Sequence, residues 1–513
     1  MTAGPGSSGL MVCGTTSNSG KTTVVAGLCR LMARRGLRVA PFKAQNMANN
    51  SAATASGHEI GRAQAWQAYA AGVEPEVAMN PILLKPTGPA RSQVVLMGRP
   101  LGDVAAADYH RRKPEFLTEV LAALADLRSR HDLVILEGAG SPAEINLLDR
   151  DIVNLRIARE AGLPAIVVGD IDLGGVWAAL YGTVALLPPE YRSLVKGFVV
   201  NKFRGDPTLL GDAGPKLEAR CGVPTIGVVP YLTGPVFDGE DAVLLERPAA
   251  ALLERPDAAA GPEAPASGDL IDVAVVRFPH IANFTDLDPL TIEPSVRVRF
   301  VEDVAALGRP DLVILPGSKS TVADLRWLTS RGLAGEIAES PATVLGICAG
   351  YQMLGRRIED PAGAEATAGT TVDGVGLLAA TTRFEGTKVT RLRSGSSAEG
   401  WRVSGYQIHH GRVSAAAPWL HLAGTPDGTV GKNDAGAKVY GTTLHGIFES
   451  DEFRRRFLAG VAERVGKRFV SSSGLSFAQA RDAAIDRIAD AIEANVDMKA
   501  IDRIIGGGAG GVR

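Results

Sequence analysis

An apolar run, Leu10–Cys13, passes directly into Gly14-Thr15-Thr16-Ser17-Asn18-Ser19-Gly20-Lys21-Thr22-Thr23, and a helix-like segment, Val24–Arg35, follows. Few folds tolerate that order. A strand that ends in a turn rich in glycine and hydroxyls and reopens as a helix points several backbone N–H groups into one concavity. That concavity lies at the positive end of the helix dipole. Lys21 adds a full charge, and the Thr22 hydroxyl is the expected Mg²⁺ ligand. All ten residues from Gly14 to Thr23 are therefore expected to surround a nucleotide phosphate chain, with ATP and Mg²⁺ as the implied small molecules. Five residues separate Gly14 from Gly20, where the ordinary P-loop has four.

A phosphate loop of this kind implies a parallel sheet, and the rest of the first half supplies one. Arg38–Phe42, Leu133–Leu136, Ala165–Val168, Gly197–Val200 and Thr225–Val229 are short apolar runs. The stretches between them are mostly long enough for helical crossovers, so a doubly wound α/β sheet covered on both faces is expected. Glu137 closes the third of these strands and precedes Gly138-Ala139-Gly140. A carboxylate at that end of a parallel strand is placed for a second Mg²⁺ contact, or is a solvated turn residue. Asn201 follows the strand at Gly197–Val200. It is expected either to meet the nucleotide base or to cap the next turn. Lys43, in Pro41-Phe42-Lys43-Ala44-Gln45-Asn46, reads as a phosphoryl or substrate-carboxylate contact or, equally from spacing, as an exposed loop lysine.

The strand pattern stops and restarts. Residues 246–268 are largely Ala, Pro, Glu and Arg, without a face that can pack, and the reading across 241–268 is a linker. Beyond it, Ile271–Val276, Val296–Phe300, Leu312–Leu315 and Thr343–Ile347 read as strands of a second sheet. At 513 residues the chain is too long for one ordinary core. The expected division is a synthetase domain over 9–240, the linker, a second α/β domain over 269–465, and a helical tail over 466–513 ending in a disordered glycine-rich stretch.

Thr343–Ile347 runs into Gly346-Ile347-Cys348-Ala349-Gly350 and then a helix-like Tyr351–Arg357. This is a nucleophile elbow. The glycines let the chain turn sharply, the sulfur projects from the sheet, and the helix N-terminus favours thiolate. Cys13, Cys29 and Cys221 have no such setting and read as structural thiols. A thiolate that attacks an amide needs a partner to protonate the departing ammonia. His445 is the first candidate; His409 and His410 compete with it. Oxyanion donors are expected from the Ala349 amide and from Gly317 and Ser318, at the end of strand Leu312–Leu315. An ordinary strand-end turn fits those last two equally well.

Charge excludes little but points one way. Lys and Arg number 54 against 56 Asp and Glu, so the balance gives no reason to expect nucleic acid or an anionic membrane as partner. The N-terminus has no secretory pattern, no apolar run is long enough to span a bilayer, and the four cysteines form no C-x-x-C pair. A cytoplasmic protein without disulfides or zinc is expected.

Taken together, these motifs resemble two known groups on one chain. The longer phosphate loop is similar to that of dethiobiotin synthetase, and Gly346–Gly350, His445 and Pro316-Gly317-Ser318 resemble class I glutamine amidotransferases. The fusion resembles the cobalamin-pathway glutamine amidotransferases. The segments that carry the likeness are Pro41–Ser51, Met79–Gly88, Glu137–Leu147, Asp170–Val176, Asn201–Asp206, Gly405–Gly411 and Gly441–Phe448, with the helical stretch around Asp482–Ala500.

The resemblance implies ATP- and glutamine-dependent amidation of adenosylcobyrinic acid a,c-diamide at its b, d, e and g carboxylates, giving adenosylcobyric acid. It makes Cys348 the nucleophile and His445 its partner. Many class I members carry Glu two residues after the histidine. Here that position is Ile447, and Glu449 lies four residues on. The expectation is a Cys–His dyad with its third member open. Two other readings compete: a relative acting on the a and c carboxylates of cobyrinic acid, and a ParA-like ATP switch without catalytic function.

Overall fold

The computed structural model describes residues 8–88, 91–234, 237, 267–415, 418–472 and 474–507. These form two compact units. The first comprises Met1–Ala48, Ile60–Asp241 and Asp482–Arg513; the second comprises Asn49–Glu59 and Ala242–Arg481.

In the first unit the six apolar runs become strands β1 (Ser8–Gly14), β2 (Val39–Phe42), β3 (Leu133–Glu137), β4 (Ala165–Asp170), β5 (Val195–Phe203) and β6 (Thr225–Pro230). They form one sheet in the order β6-β5-β4-β1-β3-β2, and every neighbouring pair is parallel. β1, β2, β3 and β4 are buried along their length apart from Ser8, as a sheet covered on both faces requires. The phosphate loop leaves the C-terminal end of β1, where the strand order changes direction, and leads into helix α1 (Lys21–Arg34). Helix α2 (Arg62–Ala71) is buried almost throughout. A separate four-stranded sheet joins Gln45–Met47, Ile82–Gly88, Arg91–Leu96 and Arg99–Ala105. Nothing in the apolar pattern distinguished these short strands from loop.

The second unit is built on β7 (Ile271–Val276), β8 (Val296–Val301), β9 (Leu312–Leu315) and β10 (Thr343–Ile347), which match the expected strands within a residue. Helix α3 (Ala349–Leu354) follows β10. Two strands were missed in the main sheet, β13 (Thr429–Lys432) and β14 (Lys438–Thr442), and so was a long antiparallel pair, β11 (Ala380–Ser397) with β12 (Arg402–Ala415). The main sheet runs β8-β7-β9-β10-β14-β13, parallel except for its last strand. β11 and β12 mix polar and apolar residues and are only partly buried, so they lack the continuous apolar run that marks a doubly covered strand.

The tail corrects one expectation. Helix does not begin at residue 466: the chain is irregular until α4 (Phe477–Asn495), and α5 (Met498–Gly507) follows. From Asp482 onward it is integral to the first unit. Ile488 and Ile492 lie in the same apolar core as Leu28 and Val25. A Cβ on Gly27 would come within 2.4 Å of Ile492 Cδ1, so α1 and α4 touch where only glycine fits. Arg30, Arg34 and Arg35 pair with Asp482, Asp486, Asp490 and Asp502 along the seam. These pairs are half-exposed, so the buried isoleucines carry most of the stabilisation. The expected linker lies outside the described residues as far as 266, and so does the terminal glycine stretch beyond Gly507.

Candidate active sites

At the phosphate loop, glycine is required twice. A Cβ on Gly14 would stand 2.2 Å from Ser19 Oγ and 2.9 Å from Lys21 Nζ, and Gly20 adopts φ +90° with Asn201 Nδ2 2.1 Å from where its Cβ would be. The Thr15 N–H donates to Val168 O, which ties the loop to β4. Lys21 Nζ donates to Thr16 O at 2.8 Å and Gly140 O at 3.3 Å, so its ammonium lies over the loop it closes.

Beside the loop, the Thr22 hydroxyl donates to Glu137 Oε1 at 2.8 Å, Lys43 Nζ reaches the same oxygen at 3.0 Å, and Gln67 Nε2 donates to Glu137 Oε2 at 2.6 Å. Burial works to raise the Glu137 carboxyl, but Lys43, Gln67 and Lys21 together outweigh it and keep the group below its ordinary range. A buried carboxylate held charged next to a threonine hydroxyl at a phosphate loop is a hard-oxygen pair. It suits Mg²⁺, which takes few protein ligands and fills its shell from water and phosphate. The structure places Lys43 on Glu137, buried, which rules out an exposed loop lysine. Asn201 Nδ2 donates to Ser19 O at 3.0 Å and so braces the loop.

Three residues of this site were not foreseen. Gln67 sits on α2, in a stretch without a motif. Asp170 closes β4, and its carboxylate takes Lys202 Nζ at 2.7 Å; the same ammonium donates to Asn18 O. A carboxylate at the C-terminal end of a strand neighbouring β1 was a usable signal.

In the second unit, Cys348 stands at the elbow with φ +52° and ψ −107°. Its neighbours must be glycine. A Cβ on Gly346 would meet Tyr351 N at 2.6 Å, and one on Gly350 would meet Leu315 O at 1.9 Å. The Cys348 N–H donates to Thr442 O, so β14 holds the elbow down.

Of the candidate histidines, His445 is the one that meets a buried carboxylate, Asp286. His445 is 1% exposed. Its Nδ1 lies 2.6 Å from Asp286 Oδ2, while Asp286 Oδ1 accepts the Gly446 N–H at 2.8 Å. The Cys348 sulfur, whose Sγ lies 3.9 Å from Ile408 O, also acts electrostatically on the ring. Burial opposes a charged ring, but the Asp286 carboxylate and the Cys348 sulfur outweigh it and raise the imidazolium to about 10. The ring stacks on Tyr406 with centroids 5.2 Å apart.

The two rival histidines sit in different surroundings. Burial lowers His409 to about 3 and His410 to about 4, and their Nδ1 atoms are engaged by Gly411 O and Glu385 O. A ring neutral at physiological pH has no proton to give as imidazolium. Glu449 pairs with Arg481 at 3.5 Å. Asp286 was not legible because 159 residues separate it from His445 and it sits in a 3₁₀ stretch, Phe284–Ile292, with no spacing rule to connect them.

The expected oxyanion turn is adjacent. A Cβ on Gly317 would lie 2.9 Å from His445 Cε1. Gly317 and Ser318 pair with Ala282 and Ile281 in a two-residue ladder, and the Ser318 hydroxyl donates to Asp324. Ala349 is the first residue of α3.

Asp286→Asn should keep the imidazole seated but remove the charge that stabilises its protonated form. Glutaminase kcat should fall by about 10³-fold or more. The sign follows from the raised imidazolium: losing the carboxylate lowers that value, so the alkaline limb of the kcat/KM profile should move to lower pH. An unchanged profile in the folded variant would remove Asp286 from the site.

The α/β fold, the phosphate-loop unit and the cysteine elbow define an amidotransferase of the ligase class, drawing its nitrogen from glutamine. Residues 10–235 match the CobQ/CobB/MinD/ParA nucleotide binding domain, and residues 272–453 match the CobB/CobQ-like glutamine amidotransferase domain. The cobyric acid synthase of Rhodococcus jostii is 48% identical over 98% of this chain and 96% of its own; that of Streptomyces coelicolor is 50% identical over 98% and 97%. The chain belongs to the cobyric acid synthase family. Among solved structures, a glutamine amidotransferase covers 37% of this chain and 98% of its own, at 16% identity and a TM-score of 0.28. No helix among the described residues is long and apolar enough to cross a membrane.

Proposed function

We propose that the chain amidates the b, d, e and g carboxylates of adenosylcobyrinic acid a,c-diamide, consuming one ATP and one glutamine at each. The observation that carries this reading is end-to-end identity of 48–50% with proteins named cobyric acid synthase, joined to a site in each unit suited to one half of the reaction.

In the glutaminase half, Cys348 Sγ attacks the glutamine amide carbon. Backbone N–H groups of Ala349 and of the Gly317–Ser318 turn face the developing oxyanion. His445 passes its Nε2 proton to the departing ammonia, leaving a thioester. Water then gives a proton back to His445 and releases glutamate, while Asp286 steadies the ring through both transfers. In the synthetase half, a corrinoid carboxylate oxygen takes the γ-phosphoryl of ATP, giving an acyl phosphate and ADP. Ammonia then displaces phosphate to form the amide. Activation is needed because a carboxylate is a poor electrophile. Lys21 and the loop N–H groups balance charge on the transferring group. Thr22 and Glu137 are the residues that would hold Mg²⁺, which supplies charge neutralisation on the phosphate oxygens.

Offering cobyrinic acid and its a,c-diamide separately, with Mg-ATP and glutamine, separates this reading from that of the a,c-amidating relative. Four amide additions to the a,c-diamide are expected by mass. Two additions to cobyrinic acid and none to the a,c-diamide would assign the chain to the other reaction.

A further inference from the structure

Asn283 is a buried polar residue beside the glutaminase histidine that the mechanism leaves without a task. It is 3% exposed and holds φ +53°. Its Nδ2 lies 3.3 Å from His445 Nε2, and its Oδ1 accepts the Ser51 N–H at 2.8 Å. A backbone N–H can only donate, so Ser51 fixes which end of the amide is oxygen. The other end, an NH₂, must face the imidazole. It can donate only into an Nε2 lone pair, and a protonated Nε2 has none.

Two sets of groups therefore act on one ring in opposite directions. Asp286 at Nδ1 and the Cys348 sulfur favour imidazolium. Asn283 favours the neutral ring. The other groups around His445 are Tyr406, stacked on its face, and His409, which burial keeps neutral; Glu449, on the following turn, is paired with Arg481.

Ser51 belongs to Asn49–Glu59, a part of the second unit. The segment is tied there by Ser51 Oγ donating to Glu59, by a buried ion pair between Glu59 and Lys388, and by Ala53 packing on Tyr406 and Ile408. It also follows Lys43, which holds Glu137 at the phosphate loop, by only a few residues of chain.

We propose that Asn283 is a positioning residue that opposes protonation of His445 and so tempers the Cys348–His445 pair, oriented by the Ser51 N–H of the segment Asn49–Glu59. The inference rests on Cys348 and His445 being the glutaminase pair.

The test is the pH dependence of Cys348 alkylation by iodoacetamide in the full chain, mapped by mass and compared with glutaminase activity without ATP or corrinoid. Asn283→Gly removes the amide and keeps the left-handed backbone free of strain. Alkylation near pH 6 should rise roughly three- to tenfold, the worth of one neutral hydrogen bond, and the alkaline limb of the glutaminase profile should move up. Asn283→Ala, with the opposite backbone preference, should give the same shift. Ser51→Pro, which deletes the orienting N–H together with the hydroxyl, should shift in that direction too, and Ser51→Ala, which deletes the hydroxyl alone, should not. Wild-type alkylation profiles in both Asn283 variants, with the protein folded, would overturn the role of Asn283. A wild-type profile in Ser51→Pro would overturn the role of the segment. If alkylated wild-type protein still hydrolysed glutamine, the assignment of Cys348 itself would be at fault, which is a separate failure.

Discussion

Cys348→Ala is expected to abolish glutamine-dependent amidation while leaving amidation from added ammonium salts near the wild-type rate. No other group at the elbow can form the thioester: Ala349 and Gly350 are on helix α3, and Cys13 and Cys29 are buried in the first unit with thiols that burial pushes far above the ordinary range. The loss in glutaminase kcat should be on the order of 10⁴-fold or more, as for a nucleophile removed from a cooperating set. The ammonium arm is the informative one. Ammonia needs only the acyl phosphate, so its use should not depend on the second unit's sulfur. Steady-state amide formation with each nitrogen source checks both arms. Loss of both in a folded variant would mean that the two sites are not separable.

Lys21→Ala has the second large effect and the opposite pattern. Here both nitrogen sources should fail, because the acyl phosphate no longer forms. Lys21 is 6% exposed, with its ammonium spanning Thr16 O and Gly140 O across the mouth of the loop. Removing that charge should cost about 10³-fold in ammonium-dependent amidation, the size expected for one strong donor to a transition-state anion. Glutaminase activity measured alone should survive, since Cys348, His445 and Asp286 keep all their partners. Normal amidation in Lys21→Ala would remove the phosphate loop from the account.

Much of this was legible in the chain before folding was considered. The parallel sheets were readable because a strand buried on both faces is an uninterrupted apolar run. Both loops were readable because glycine at 14, 20, 346 and 350 is demanded by contacts under 3 Å to the site of a Cβ. What was hidden is what depends on distant sequence. Asp286 reaches His445 through the fold alone, and so does Asn283. β11 and β12 mix polar and apolar residues rather than run apolar. The tail reads as helix, but only the small side of Gly27, facing Ile492, shows which core it completes. Position 447 is Ile, and the carboxylate that meets His445 comes from another part of the chain.

The central claim is that one chain hydrolyses glutamine and passes the nitrogen to an ATP-activated corrinoid carboxylate. The most direct measurement is the isotope content of the product. With adenosylcobyrinic acid a,c-diamide, Mg-ATP and glutamine labelled with ¹⁵N at its amide, the account predicts four added amides, all carrying ¹⁵N, and no addition when ATP is left out. Added amides without the label, or labelled amides formed without ATP, would contradict it.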